Sequence, residues 1–276
     1  MNTDVSSLVA ITIMEWRKAT SLRILSVLGL VSVGVSAVLA LFYTWVVLQV
    51  HLETPASAVE ATAVTTSKAA VTALVAGVVG VLVVASDRRG GGLAVSATIE
   101  PRRARIVAAK AVVAAVIGAT VGCLGLATNA LVAALRLTPH DLFLTDVSSW
   151  ALLVAGAVAV HVGWAALGVA VGLAIRAMPA AVLAIVGGPW LVERVIGVAR
   201  ASSAPEDVMG VLDRINPFAA ADGLQNPLVI VEPVVEVVGS GTSVGILGSA
   251  AVFAAFVALA LWLAGRTFVR ADLFGE

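Results

Sequence analysis

The sequence predicts an all-α membrane protein, with six transmembrane helices preceded by an N-terminal interfacial amphipathic helix, residues 1–276 forming one transmembrane domain. Three observations predict it. First, 60% of the 276 residues are hydrophobic and only 12% are charged, against about 25% charged in an ordinary soluble domain. So much apolar surface cannot be hidden in a soluble core and must face lipid. Second, the apolar stretches approach or exceed the ~20 residues a spanning helix needs. They do not alternate over roughly 10 residues as barrel strands do, and in lipid only helices or closed barrels satisfy the backbone. Third, threading these stretches back and forth gathers most Lys and Arg on one side, as the positive-inside rule requires.

Residues 1–20 read as a helix on the membrane surface: Val5, Leu8, Val9, Ile13 and Trp16 share one face at helical spacing, with Asp4 as a candidate N-cap. Glu15, Arg17 and Lys18 are expected to point to water, and Trp16 suits the headgroup zone. Six apolar segments follow, at about Ile24–Val50, Ala69–Ser86, Val107–Leu135, Trp150–Ile175, Pro179–Ala199 and Val244–Ala264. The first is too long for the h-region of a signal peptide and lacks a small-residue cleavage site after it. Pro179, after the turn Arg176-Ala177-Met178, suits a helix start.

With the N-terminus in the cytoplasm, 12 of the 17 basic residues are inside: Arg17, Lys18, Arg23, Arg88, Arg89, Arg102, Arg103, Arg105, Lys110, Arg176, Arg266 and Arg270. Lys68, Arg136, Arg194, Arg200 and Arg214 remain outside. An even number of spans then puts both termini in the cytoplasm of a bacterial-type inner membrane. Two soluble pieces remain. One is the cytoplasmic loop 87–106. The other is the extracellular segment 200–243, broken by Pro205, Pro217, Pro227 and Pro233, in which Val208, Val211, Leu212 and Ile215 would form one face of a short helix.

The formal net charge is zero, so no nucleic-acid partner is implied, and the lone Cys123 permits no internal disulfide and no Cys-based metal site. No Gly-Lys dipeptide occurs, so the chain has no phosphate-cradling P-loop, and it has no His-Glu-x-x-His zinc motif. The three histidines, His51, His140 and His161, are far apart in sequence. The most informative stretch is Asp87-Arg88-Arg89 to Glu100-Pro101-Arg102-Arg103-Ala104-Arg105 and Lys110, with six basic residues. Such a loop either docks an acidic soluble partner or anchors the chain against anionic lipid.

In the order of its motifs the chain resembles the permease subunits of ABC-2 type transporters, six-span ABC exporter membrane proteins. The resemblance is carried by Met14-Glu15-Trp16-Arg17-Lys18 before span one, by Asp87-Arg88-Arg89 after span two, and by Pro101-Arg102-Arg103-Ala104-Arg105 with Lys110 at span three. Asn216-Pro217-Phe218-Ala219-Ala220 before span six and the tail Arg266-Thr267-Phe268-Val269-Arg270-Ala271-Asp272 complete it. Gly90-Gly91-Gly92 stands where the family usually has a Glu-containing turn with Gly-Thr. The resemblance implies a permease that pairs with a second copy or a paralogue on separate ABC ATPase subunits. ATP and Mg would bind those partners, and no cofactor would bind this chain. It also implies a coupling helix between spans two and three, with Glu15, Arg88, Arg89, Glu100, Arg102, Arg103 and Arg105 as contacts to the ATPase and no catalytic residue here.

Polar groups within apolar segments carry their own alternatives, because charge is costly in lipid. Glu193 and Arg194 either line a gate on the translocation path or lie in water beyond the end of span five. His161 is either part of a proton relay or a neutral histidine bonded to another helix, and Asn129 is interhelical glue. Gly118-x-x-x-Gly122 and Gly168-x-x-x-Gly172 mark either a dimer seam or close packing within one bundle. Gly187-Gly188-Pro189 should weaken or kink span five. Two rivals to the transporter reading are a membrane-embedded enzyme built on Glu193, His161 or His140, and a non-transporting assembly or immunity protein.

Overall fold

The computed structural model describes residues 2–53, 57–66, 70–89, 92–201, 206–225 and 245–270. They form helices α1 (Asn2–Thr20), α2 (Arg23–Glu53), α3 (Ala58–Thr66), α4 (Ala70–Arg89), α5 (Gly92–Ile99), α6 (Arg103–Leu137), α7 (Val147–Ala174), α8 (Met178–Ala201), α9 (Glu206–Ile215), α10 (Pro217–Gln225) and α11 (Gly245–Arg270). No strand occurs among the described residues. Five helices, α2, α6, α7, α8 and α11, are long and apolar enough to cross a membrane. The expected second span corresponds to α4, which is 20 residues long, ends in Asp87-Arg88-Arg89 and is not among those five.

The core is the crossing of α4 with α7, covered by α6. Glycines permit it, since a Cβ on Gly168 would collide with the Gly77 carbonyl, and one on Gly80 with that of Ala165. Gly172 sits against Val84 and Val81 of α4. On the other side of α7, a Cβ at Gly118 would lie 2.7 Å from the His161 carbonyl, and one at Gly122 2.7 Å from the His161 ring. Both glycine pairs therefore serve packing within this chain. The consequence is asymmetric burial, with 67% of the most apolar stretch of α7 inside the protein against 11% for α11.

Local chemistry sets the helix ends. Asp146 caps α7, accepting from Ser149 N at 2.7 Å and Ser148 Oγ at 2.6 Å. Ser57 and Glu60 make a reciprocal capping box at α3, with Glu60 N to Ser57 Oγ at 3.2 Å and Ser57 N to Glu60 Oε2 at 2.8 Å. A single turn of tighter helix, Thr138–His140, ends α6 before Asp141 turns left-handed at φ 58°. Pro189 lies inside α8, which runs through it as one helix.

Parts of two stretches expected to be soluble are helical and partly buried. Within 87–106, α4 continues to Arg89, α5 covers Gly92–Ile99 and α6 starts at Arg103, while residues 90 and 91 lie outside the described residues. Within 200–243, α10 packs its Ala220, Ala221 and Leu224 into the core cluster of α7 and α11, so this part is not free in water. Phe218 stacks on the buried Trp164 of α7 with ring centres 5.7 Å apart, and meets Phe256 of α11 edge-on. On α9, Val211 and Ile215 are exposed, and the Val208 side chain lies outside the described residues.

Candidate functional site

Four helix segments converge on one buried charge cluster. Ile11, Glu15 and Ala19 recur every fourth residue on α1 and form its buried face, while Leu8, Val9, Ile13 and Trp16 stay exposed. The expected apolar face is thus the uncovered one, and the expectation that Glu15 points to water is corrected: Glu15 is 1% exposed. Asp87 comes from the last turn of α4, Ser96 from α5, and Lys110, at 0% exposed, from the second turn of α6.

An ammonium group has three donors and no acceptor, and both lysines here use all three. Lys110 Nζ donates to Glu15 Oε2, to Asp87 Oδ2 and, at 3.4 Å, to the Val83 carbonyl. Lys18 Nζ donates to Glu15 Oε1 at 3.0 Å, to Asp87 Oδ2 at 3.3 Å and to Ser96 Oγ at 2.9 Å. Ser96 Oγ in turn donates to Glu15 Oε1 at 3.4 Å. Two positive and two negative groups cancel, which is the condition for burying charge at all. Burial pulls the Lys18 ammonium down, but its bonds and attraction to Glu15 and Asp87 outweigh this and raise it above its ordinary 10.5.

Around the cluster, basic side chains hold helix C-termini, where unpaired carbonyls and the helix dipole favour a cation. The Arg88 guanidinium donates to the carbonyls of Gly172 (2.7 Å), Leu173 (2.6 Å) and Ile175 (2.9 Å) at the end of α7. Arg103 donates to those of Phe268 (3.4 Å) and Val269 (3.2 Å) near the end of α11. Glu100 accepts from the Arg102 backbone N–H at 3.0 Å and from Arg105 at 3.2 Å. The Arg102 amide first, then Arg105, hold its carboxyl below the usual range. Of the residues assigned to a partner by resemblance, Glu15, Arg88, Glu100, Arg103 and Arg105 thus bond within the chain. Arg102 also interacts within the chain, through its amide to Glu100, while its side chain is exposed, and the side chain of Arg89 lies outside the described residues. The outward ridge of α5 is apolar, with Val95 57% and Ile99 62% exposed.

The intramembrane candidates each bond a different partner. His161 is buried on α7, with Nε2 2.8 Å from Thr72 Oγ1 of α4 and Nδ1 2.7 Å from the Ala157 carbonyl, a histidine bonded to another helix. Asn129 reaches the Thr66 carbonyl of α3 at 3.5 Å. Glu193 accepts from Asn216 Nδ2 at 2.8 Å, and Arg194 lies 5.2 Å from the centre of the Trp190 ring. His140 is exposed beyond α6. No group of three His, Cys, Asp or Glu able to hold a metal occurs among the described residues.

Sequence reasoning took Asp87 as a loop residue and Lys110 as a span-opening residue and missed their pairing. The available signal was one lysine flanked by Ala109 and Ala111 at the head of an apolar run. It also missed one Gly-x-Ser-x-Gly string, Gly241-Thr242-Ser243-Val244-Gly245. In hydrolases that pattern is a strand-to-helix turn. Ser243 lies outside the described residues, and no strand is present among them. No family model matches the chain, and no curated protein matches it.

Proposed function

We propose that this chain is the membrane-spanning permease subunit of an ATP-driven exporter of the ABC-2 type, working as a dimer on separate ATPase subunits that bind ATP and Mg. In this reading α4 is the sixth span, since its 20 residues rise about 30 Å at 1.5 Å each. Both termini, α1 and α5 face the cytoplasm of a bacterial inner membrane, following the basic residues. The observation that carries the reading is the setting of α5. It offers a short apolar ridge, Val95 and Ile99, beside the exposed Arg102, and its opposite side is bonded through Ser96 to the cluster joining α1, α4 and α6. A push on α5 therefore moves three helices at once, as a coupling element must.

The test is co-purification of the chain from its own membrane in mild detergent, with vanadate-sensitive ATPase activity assayed on the eluate. An ATPase should co-elute with the native chain and be lost with Val95→Asp/Ile99→Asp, while the variant remains inserted. Absence of any ATPase, or its retention by the double variant, refutes the coupling role of α5. Topology is checked in a Cys123→Ala background, where Thr145→Cys should react with an impermeant reagent from outside and Thr98→Cys should not. The opposite pattern inverts the proposed orientation.

A further inference from the structure

α8 turns most of its surface away from the bundle, with only 17% of its most apolar stretch inside the protein. Ala181, Ile185 and Ile196 form its buried side. On the opposite side Leu183, Gly187, Trp190, Arg194, Gly197 and Ala201 follow one another at alternating steps of four and three residues. Leu183 is 72% exposed and Trp190 63%, and Arg194, Gly197 and Ala201 are exposed as well. Such an alternation is the seam along which two helices wind about each other. Small residues in the seam let two backbones approach closely in a membrane. A Cβ at Gly197 would meet nothing within 4 Å, and one at Gly187 only the Leu183 side chain of its own helix, at 3.8 Å.

Arg194 stands in the middle of this stripe. Among the described residues no carboxylate lies within ion-pair distance of it, and its guanidinium rests 5.2 Å from the centre of the Trp190 ring. A cation without a counter-charge is costly on a lipid-facing helix. Helix α2 makes the contrast, since its outward Leu30, Val38, Leu41 and Phe42 are all apolar and lipid alone suits them. Glu193, the residue before Arg194, flanks the stripe. Its Oε1 accepts from Asn216 Nδ2 at 2.8 Å, and a carboxylate can accept more than one bond.

We infer that α8 pairs in parallel with α8 of a second copy of this chain along this stripe, Arg194 of each copy binding Glu193 of the other. Two copies inserted the same way present their helices in parallel, and a twofold axis makes every contact reciprocal. In a parallel seam the residue just before a core position lies beside that core position of the opposite helix. Glu193 therefore reaches Arg194 of the second copy while keeping Asn216, and the missing counter-charge is supplied twice over. This pairing is the contact of the permease dimer proposed above, and it rests on that reading for two like copies meeting in one membrane.

Cysteine cross-linking by mild oxidation in native membranes tests it, on the full chain in a Cys123→Ala background. Leu183→Cys and Ala201→Cys, on the stripe, should give a disulfide-linked dimer. Val195→Cys, 61% exposed but to one side of the stripe, and Leu30→Cys, 75% exposed on α2, should not. No cross-link on the stripe, or equal cross-linking at the side positions, overturns the pairing. Arg194→Glu added to Ala201→Cys should lower the cross-link at least about fivefold, because carboxylates then face each other. Co-expressed with a differently tagged chain carrying Glu193→Gln and Ala201→Cys, which keeps an acceptor for Asn216, the same variant should link to that chain in preference to itself. Undiminished self-linking, or no preference for the Glu193→Gln chain, contradicts the charge pairing. A cross-link on the stripe without any co-eluting ATPase keeps the pairing and refutes the exporter, and a co-eluting ATPase without the cross-link does the reverse.

Discussion

The two ends of the bundle are fastened by different physics. At the α5 end a few ionised groups hold whole helices: Lys110 and Lys18 bind Glu15 and Asp87, Arg88 holds the end of α7, and Arg103 holds that of α11. At the α10 end the work is spread over neutral contacts. Thr62 of α3 accepts from Leu144 N at 2.9 Å and donates to the Leu142 carbonyl at 3.3 Å. Trp150 Nε1 donates to the Leu144 carbonyl at 2.9 Å, and Trp164, Phe218 and Phe256 form an aromatic run. One end is specified by few groups of large individual weight, the other by many of small weight. The first should fail all at once and the second by degrees.

The largest break is expected at Lys110. Lys110→Met removes the fully buried cation and leaves two carboxylates sharing Lys18 alone, a loss of about 3–5 kcal/mol. It should appear as a steep fall in Tm in detergent. Adding Glu15→Gln, which leaves Lys18 paired with Asp87, should restore part of the loss, and no recovery would show that Lys110 acts by packing rather than charge. The α4–α7 crossing comes next. Gly168→Ala must push the backbones apart and should cost at least about 1–3 kcal/mol. Gly29→Ala, whose Cβ meets nothing within 4 Å, should be near neutral under the same melt, and equal effects at the two sites would contradict the crossing. At the α10 end, Thr62→Val strands the Leu144 amide for about 1–3 kcal/mol. Phe218→Leu should cost about 0.5–1.5 kcal/mol of stacking beyond its lost area.

The smallest effects are those of pH. Hydrogen bonds from Ser148 and Ser149 lower the Asp146 carboxyl from its ordinary 3.8 to about 2. Its cap is therefore present above pH 3.8 and is lost as pH falls through about 2. Fraying of the start of α7, followed by amide exchange at Ser149, should begin only in that acid range. Lys18 behaves oppositely. Its raised folded value keeps its contribution whole below 10.5 and removes it as pH rises further, so the α1–α5 tie should be indifferent across neutral pH.

Most of the helical layout was legible because long apolar runs leave few alternatives. The runs starting near Ile24, Val107, Trp150, Pro179 and Val244 correspond to α2, α6, α7, α8 and α11 within a few residues. The helix over residues 2–20 was legible too, but not which side of it faces the bundle. An apolar face is ordinarily read as the buried one, and here Glu15 is buried because Lys110, ninety-five positions away, is there to receive it. α3 and α10 were missed for a related reason. Thr62, Thr65 and Thr66 look like loop composition, and their burial depends on α6 and Leu142 lying against them. Pattern along the chain reports local preference, whereas the candidate site consists of pairings between distant segments.

The close approach of α4 to α7 also bears on how the molecule is made. During synthesis α4 emerges well before α7, so Gly77 and Gly80 are made before Gly168 and Ala165 exist to cover them. In that interval the first half of the chain is an unfinished surface, open to lipid or to an insertion factor. Only when α7 arrives do the two backbones close on each other. The middle third of the protein is thus the closing part of a core begun in the first, and a chain cut before Val147 would carry all of α4 with its groove still empty.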